Sequence, residues 1–160
     1  MAIDVLNILR KENLNAKLCI IGPSKEGELK KLKNYIETLD LGSYIEFTGI
    51  LSKKVWHKKS EEFDIFINTT NVDNTPVSLI EAMALGLPIV STNAGGLPYL
   101  IDNHVDGVLV NKNDAHKMAK EIINLIDSPK KSFLMTVNAR NKSEKFDIEI
   151  VKKQWINLLN

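Results

Sequence analysis

The sequence predicts an α/β fold with a mainly parallel, doubly wound sheet, and two observations predict it. Short apolar runs bounded by Gly, Pro, Asn or Thr recur along the chain, and such continuous apolarity is typical of strands covered on both faces. Between the runs lie segments with apolar residues at three- and four-residue spacing, which is typical of helices. Strands that alternate with helices in this way are joined by right-handed crossovers and run parallel. The predicted strands are Lys17–Gly22, Tyr44–Gly49, Asp64–Asn68, Pro88–Thr92 and Gly107–Val110.

The predicted helices are defined by their apolar stripes. A helix opens the chain over Asp4–Leu9, and the next has a lysine-rich face opposite its stripe. A later helix is expected to stop at Ser128-Pro129, since proline ends a helical pattern. The three stripes comprise Leu29, Leu32, Ile36 and Leu39; Met118, Ile122 and Ile126; and Ile148, Val151, Trp155 and Leu158.

Length and composition predict one domain over residues 1–160 and exclude some classes of function. The 160 residues suit a single core, and the hydrophobic and charged fractions of 44% and 26% are ordinary for a globular protein. Lys+Arg 21 against Asp+Glu 20 leaves a formal net charge of +1. That balance argues against a nucleic-acid partner, because phosphate contacts require a basic excess.

The single cysteine, Cys19, is interpreted as a small core residue of a reducing compartment rather than as a nucleophile. No window approaches the roughly 20 apolar residues of a membrane span, and the first residues lack the form of a signal peptide. The expected location is therefore the cytoplasm.

Ligands of doubly wound sheets bind at the carboxyl ends of the strands. That rule selects four segments, which are Gly22–Lys25, Gly49–Leu51, Thr69–Val77 and Thr92–Gly96. The first resembles a phosphate loop, but Glu28 follows Gly27 where such a loop needs Lys-Ser or Lys-Thr, so ATP hydrolysis of that type is rejected. His57, His104 and His116 lack metal-ligand spacing, and no metal site is expected.

A basic cluster, Lys53–Lys59 with Trp56 within it, has two interpretations. It is either the solvated face of a short helix, balanced by Glu61 and Glu62, or a contact with an anionic membrane surface.

The pair Thr75-Pro76 predicts the start of a helix, with threonine as the N-cap and proline at the first helical position. The free backbone N–H groups of Val77 and Ser78 would then lie at the positive end of the helix dipole, where phosphate binds. We expect this helix to end at Gly86.

Two carboxylates flank this helix start. Glu81 is one turn beyond Val77 and could accept hydrogen bonds from the vicinal hydroxyls of a ribose. Asp73 lies in the preceding loop, with Asn74 and Thr75 beside it. The set suits a ligand in which a diphosphate joins two sugar-like groups. The alternative is that Thr75-Pro76 is only a cap, that Asp73 and Asn74 are turn residues, and that Glu81 is a plain surface residue.

The run D-N-T-P-V-S-L-I-E-A-M-A-L-G-L-P-I-V-S-T-N-A-G-G, residues 73–96, resembles the signature of retaining glycosyltransferase family 4 of the GT-B fold. The similarity extends to K-L-C-I-I-G, F-T-G, D-I-F-I-N and V-D-G-V-L-V, in the same order along the chain. The resemblance implies a Rossmann-like C-terminal half of a two-domain enzyme. Such an enzyme moves a hexose from a UDP- or GDP-sugar to a hydroxyl of a glycan or glycolipid, as in polysaccharide biosynthesis, and needs neither metal nor cofactor.

The resemblance also implies roles for individual residues. Glu81 matches the glutamate expected to hold the ribose hydroxyls, and Asp73 matches the acid expected near the donor sugar. Amides of Pro76–Ser78 would contact the diphosphate and sugar, and Gly49, Ile50 and Leu51 fall in the loop that contacts the base. The predicted site thus comprises Asp73 as the catalytic residue and Gly22, Gly49, Ile50, Leu51, Asn74, Thr75, Pro76, Val77, Ser78 and Glu81 as donor-binding residues.

Three departures from the family pattern stand out. Asp73 is one methylene shorter than the family's glutamate, and Tyr99 stands where many members have Glu. The family's Arg/Lys segment, its strand and the N-terminal acceptor domain are not in this sequence, so the chain alone is expected to be inactive. In the usual order 3-2-1-4-5-6 that strand is central. The strands at Lys17–Gly22 and Asp64–Asn68 would then flank a gap or pair directly. A gap predicts self-association through the unpaired strands, rearrangement or poor solubility.

The leading hypothesis is therefore the donor-binding half of a retaining glycosyltransferase. The alternative is a non-catalytic nucleotide-sugar binding or interaction module of the same fold. A GT-B epimerase would need its own set of catalytic carboxylates together with a histidine, and the segment 71–101 lacks that set.

Overall fold

Strands and helices alternate along the chain in the computed structural model, which describes residues 1–24 and 26–159. In chain order the elements are α1 (Ala2–Lys11), β1 (Leu18–Ile21), α2 (Glu26–Thr38), β2 (Ile45–Gly49), α3 (Lys53–Ser60), β3 (Phe66–Asn68), α4 (Val77–Ala84), β4 (Ile89–Thr92), α5 (Leu97–Leu100), β5 (Val108–Val110), α6 (Ala115–Asp127), α7 (Pro129–Ser143) and α8 (Ile148–Leu159). The five strands coincide with the five predicted apolar runs to within one or two residues.

The chain divides into two units, Met1–Glu62 and Phe63–Asn160. In the first unit β1 and β2 pair in parallel, with Leu18 opposite Ile45 and Ile20 opposite Phe47. The core of this unit consists of buried residues of α1 and α2 with Leu41, packed on the strands. Burying these side chains stabilises the unit because apolar surface leaves water.

In the second unit three parallel strands are ordered β3–β4–β5. Ile67 lies opposite Val90, and Val90 lies opposite Val108, so β4 is the middle strand. All four of its residues are buried, as expected of a strand covered on both faces, whereas β1 and β3 are only half-buried.

Both strand orders agree with the predicted doubly wound topology. All pairs are parallel, and every connection contains a helix. Among the described residues, β1 is hydrogen-bonded only to β2, and β3 only to β4.

The helical predictions needed three corrections. Helix α7, which starts directly after the predicted stop at Ser128-Pro129, was missed. Ile126 is exposed, because α6 instead buries Leu125 next to Met118 and Ile122. Helix α8 forms as predicted, but its stripe is largely exposed, with Trp155 at 58%. None of the helices in the described part of the chain is long and apolar enough to cross a membrane.

Candidate functional site

The loop between β3 and α4 is shaped by its own side chains. Asn68, the last residue of β3, accepts a hydrogen bond through Oδ1 from the backbone N–H of Thr70, at 3.2 Å. The Thr70 hydroxyl donates to the carbonyl of Val72 at 3.1 Å. These short-range bonds are typical of Asn and Thr in tight turns. They set the path of the chain as it approaches Asp73.

Helix α4 begins one residue later than predicted. Pro76 is the N-cap, with extended backbone at φ −67 and ψ 119, and Val77 is the first helical residue. The Pro76 carbonyl accepts hydrogen bonds from the backbone N–H groups of Leu79 (3.1 Å) and Ile80 (3.4 Å). The assignment of Thr75 as the N-cap is therefore wrong, and no side chain caps this helix. The reason is local, since the extended backbone of Pro76 delays the first turn.

The first turn of α4 leaves two backbone donors open. Within the described residues, the N–H groups of Val77 and Ser78 have no acceptor in the protein, and both residues are exposed. Unpaired N–H groups at a helix start carry the positive end of the helix dipole. This end of α4 can therefore receive an anion.

The far end of α4 is closed by its own backbone. The N–H of Gly86 donates to the carbonyl of Met83, and the N–H of Leu87 donates to the carbonyl of Ala82, both at 3.1 Å. With Gly86 at φ +76, this is a Schellman motif. The predicted helix end at Gly86 is confirmed.

Asp73 is held through its backbone. Its carbonyl accepts a hydrogen bond of 2.8 Å from the N–H of Gly96, and its side chain is half-buried. Asn74 and Thr75 are exposed, and Glu81 is half-buried one turn into α4. The contact between Asp73 and Gly96 was not predicted from the sequence, although the pair Gly95-Gly96, which follows β4, was a signal for it.

The remaining predicted site residues lie in the first unit. The N–H of Gly22 donates to the carbonyl of Gly49 at 2.9 Å, so the carboxyl ends of β1 and β2 are joined. Both glycines have positive φ, at +138 and +68, where other residues would be strained. Ile50 is 77% exposed, and Leu51 is half-buried. Lys25, at the end of the first predicted segment, lies outside the described residues.

The basic cluster forms helix α3, and much of its charge is paired. Lys58 contacts Glu61 at 2.5 Å, and Lys59 contacts Glu46 at 3.0 Å. Trp56 is buried and belongs to the core. These contacts favour the interpretation of α3 as a solvated helix face balanced by acids.

Two further groups of residues bear on the chemistry. Among residues 1–24 and 26–159, no group of three or more His, Cys, Asp or Glu side chains is placed to hold a metal ion.

Cys19 is half-buried in β1, and burial raises the pKa of its thiol. A raised pKa disfavours the thiolate, so this cysteine is a poor nucleophile at neutral pH.

The parallel strands and their helical connections define an α/β fold of the doubly wound class. The N-terminus of α4, with its two unpaired N–H groups, is the part of this fold that can receive an anion. The sequence profile of the family described as Glycosyl transferases group 1 matches residues 1–142. The chain therefore belongs to the group 1 glycosyltransferases, and its fold is that of the C-terminal half of a GT-B enzyme.

Three known proteins illustrate the relationship. The chain is 30% identical to the amylovoran biosynthesis glycosyltransferase AmsK of Erwinia amylovora, over 99% of this chain and 40% of AmsK. It is 29% identical to an uncharacterized glycosyltransferase of Haemophilus influenzae, over 98% of this chain and 44% of that protein. A crystal structure of Anabaena HepE in complex with UDP superposes with a TM-score of 0.87 at 24% identity, covering 98% of this chain and 43% of HepE. The chain thus spans less than half the length of these relatives.

Proposed function

We propose that this chain is the donor-binding half of a retaining glycosyltransferase of family 4 that transfers a hexose from a nucleotide-sugar without a metal ion. The observation that carries the proposal is the start of α4, where two unpaired N–H groups follow the loop that holds Asp73. A diphosphate is the ligand this arrangement suits, because it can accept both hydrogen bonds and is stabilised by the helix dipole.

Each predicted residue has a distinct role in this proposal. The N–H groups of Val77 and Ser78 bind the diphosphate, and Glu81 accepts hydrogen bonds from the ribose hydroxyls. Asp73 lies toward the donor sugar. Base contacts at Gly22 and Gly49–Leu51 stay a prediction of the family resemblance. The helix amides supply positive potential for the diphosphate, and the metal-independent part of the proposal follows from the family resemblance.

The names and ligands of related proteins support the proposed class of enzyme and of donor. AmsK is named for the biosynthesis of amylovoran, and HepE has been solved with UDP and also with UDP-glucose. By analogy we propose that the acceptor is a glycan or a glycolipid and that the reaction takes place in the cytoplasm. A glycolipid acceptor would be reached through peripheral contact with the membrane. Transfer itself belongs to a protein that includes an acceptor-binding half. The chain alone is expected to bind donor without transferring sugar.

The test is a titration of the isotope-labelled chain with UDP, GDP and their hexose derivatives, followed by amide chemical shifts. We expect one nucleotide series to move the signals of Val77, Ser78 and Glu81, with or without excess EDTA. A folded chain whose signals over residues 71–81 stay unchanged in every titration would contradict the proposal. A response that requires a divalent cation would contradict its metal-independent part alone.

The role of Glu81 is tested by Glu81→Gln, which preserves side-chain size and removes the charge. Hydrogen bonds to a charged acceptor are worth about 1.5–3 kcal/mol, so we expect nucleotide affinity to fall about tenfold or more. The matched control is Glu149→Gln, because Glu149 is exposed in the first turn of α8. Equal affinities of the two variants would show that Glu81 does not contact the ligand.

A non-catalytic binding or interaction module remains the second candidate. It is distinguished by joining the chain to the acceptor-binding half of a group 1 glycosyltransferase and measuring sugar transfer. Binding without transfer in that joined protein would favour the module.

A further inference from the structure

Two chain segments lie in direct contact at the carboxyl edge of β3 and β4. The Asp73 loop (residues 69–76) follows β3, and the glycine turn (residues 93–96) follows β4. The N–H of Gly96 donates to the carbonyl of Asp73 at 2.8 Å. The position of the Asp73 backbone therefore depends on a residue more than twenty positions away in sequence.

The two glycines of the turn allow an approach that no side chain would permit. A Cβ added at Gly96 would lie 2.1 Å from the Asn74 carbonyl oxygen, and one added at Gly95 would lie 2.0 Å from the Asp73 carbonyl oxygen. Both distances are far below van der Waals contact. Gly96 has φ −82, a conformation open to any residue, so only the close approach requires glycine there.

A second contact joins the Asp73 loop to the strand itself. Thr92, the fully buried last residue of β4, donates its hydroxyl to the carbonyl of Thr70 at 2.5 Å. The Thr70 hydroxyl in turn binds the carbonyl of Val72. The loop is thus fastened at its beginning by Thr92 and at Asp73 by the glycine turn.

The glycine turn is itself anchored. The N–H of Asn93 donates to the carbonyl of Val110 at 2.7 Å, which attaches the turn to the end of β5. Leu97, directly after the turn, is fully buried. An anchored turn can hold its neighbour in place, because a shift of the loop would have to move buried strand ends as well.

From these contacts we infer that Thr92, Gly95 and Gly96 are positioning residues that hold the Asp73 carboxylate for the sugar of the donor. This inference rests on the proposed function, in which Asp73 lies toward the donor sugar. Thr92 and the glycine turn therefore decide how well the site distinguishes a nucleotide-sugar from the free nucleotide. The diphosphate and base contacts, made by other residues, should not depend on them.

The test compares Thr92→Val with Thr92→Ser. Valine keeps the shape of threonine but leaves the Thr70 carbonyl without its donor, whereas serine keeps the hydroxyl. The matched control is Ser91→Ala, since Ser91 is equally buried in β4 and its hydroxyl donates to the carbonyl of Thr92 rather than to the Asp73 loop. A second pair is Gly96→Ala with Gly42→Ala, because a Cβ at Gly42 meets no atom within 4 Å.

Three quantities are measured for every variant: amide shifts of residues 70–74 in the free chain, melting temperature, and the affinities for UDP and UDP-glucose or, if the wild-type chain prefers them, GDP and GDP-mannose. We expect Thr92→Val and Gly96→Ala to move the signals of residues 70–74. We further expect them to weaken sugar-nucleotide binding about tenfold while free-nucleotide binding changes less than about twofold. Thr92→Ser, Ser91→Ala and Gly42→Ala should keep the wild-type affinity ratio.

Equal loss of affinity for nucleotide and nucleotide-sugar, or the same ratio in Thr92→Val and Ser91→Ala, would overturn the inference. If Gly96→Ala does not fold, the affinities of Thr92→Val for nucleotide and nucleotide-sugar test the inference without it. If the wild-type chain binds no nucleotide, the proposed function fails. In that case the shifts of residues 70–74 in the free chain decide whether Thr92 and Gly96 position Asp73.

Discussion

Replacing Lys142 by methionine should remove about 2–3 kcal/mol from the stability of the second unit. The Lys142 ammonium, on α7, lies 2.6 Å from Oδ2 of Asp106 and 2.8 Å from Oδ2 of Asp102. Asp106 also accepts a 2.8 Å hydrogen bond through Oδ1 from the backbone N–H of Asp102. The three groups therefore tie α7 to the segment between α5 and β5.

The magnitude follows from how deeply the pair is buried. The Asp106 side chain is 4% exposed and that of Lys142 is 19% exposed. Removing one partner of a fully buried pair costs about 3–5 kcal/mol, because the other charge stays buried without compensation. Here Lys142 is partly solvated and Asp106 keeps the hydrogen bond from Asp102, which places the expected loss below that range. Methionine preserves the apolar stem, so the loss reports mainly the charge.

The assay is urea unfolding followed by circular dichroism at neutral pH, with residue-resolved hydrogen exchange. With a urea slope of about 2 kcal/mol per molar, the midpoint should fall by about 1 M. Amides of residues 101–110 should lose the most protection. Lys130→Met is the matched control, since Lys130 is exposed on the same helix. If both variants unfold at the same midpoint, the buried pair contributes no net stability and the reasoning is refuted.

Three further predictions concern pH, backbone conformation and capping. Burial lowers the pKa of Lys142, but hydrogen bonds to Asp102 and Asp106 outweigh burial and raise this pKa overall. The stabilisation by Lys142 is therefore present below the unfolded lysine pKa of about 10.4 and is lost as pH rises through the folded pKa. The hydrogen bond from Lys142 lowers the pKa of Asp102, so the stabilisation by Asp102 is lost as pH falls through the lowered pKa. The urea midpoints of wild type and Lys142→Met should therefore converge at both extremes of pH. Gly86→Ala should cost about 1 kcal/mol through its φ of +76 alone, since a Cβ there meets nothing within 4 Å, and Gly86→Asn should cost less when both are compared by thermal unfolding. Asp114→Ala should cost about 1 kcal/mol, because Asp114 caps α6 through a 2.9 Å bond from the N–H of Lys117; an unchanged melting temperature would count against the cap.

At two helices the apolar pattern of the sequence and the observed burial differ. Helix α7 was missed because its exposed surface carries many polar residues and its buried residues, Met135, Ala139 and Ser143, are few and partly small. Its periodicity is correspondingly weak, although its burial against the rest of the unit is real. Helix α8 shows the reverse, since its apolar stripe is clear in the sequence and yet largely exposed. Periodicity predicts that a face can be buried, but the burial itself depends on a partner surface elsewhere.

The start of α4 shows the same limit at a single residue. Thr75 and Pro76 both favour a helix start, and local preference could not decide which of them would be the cap. The structure places the cap at Pro76. The open N–H groups of Val77 and Ser78, which matter for the proposed function, are unaffected by this difference of one residue.

By itself, the sequence determined the order of strands and helices, the parallel sheet and the location of the candidate site at the strand ends, because apolar runs and turn residues act over a few neighbouring positions. Only the tertiary structure decided that Gly95 and Gly96 lie in direct contact with the backbone of Asp73 and Asn74. Those contacts join residues far apart in the chain. Their distances follow from how the strands pack, and no local pattern encodes that packing.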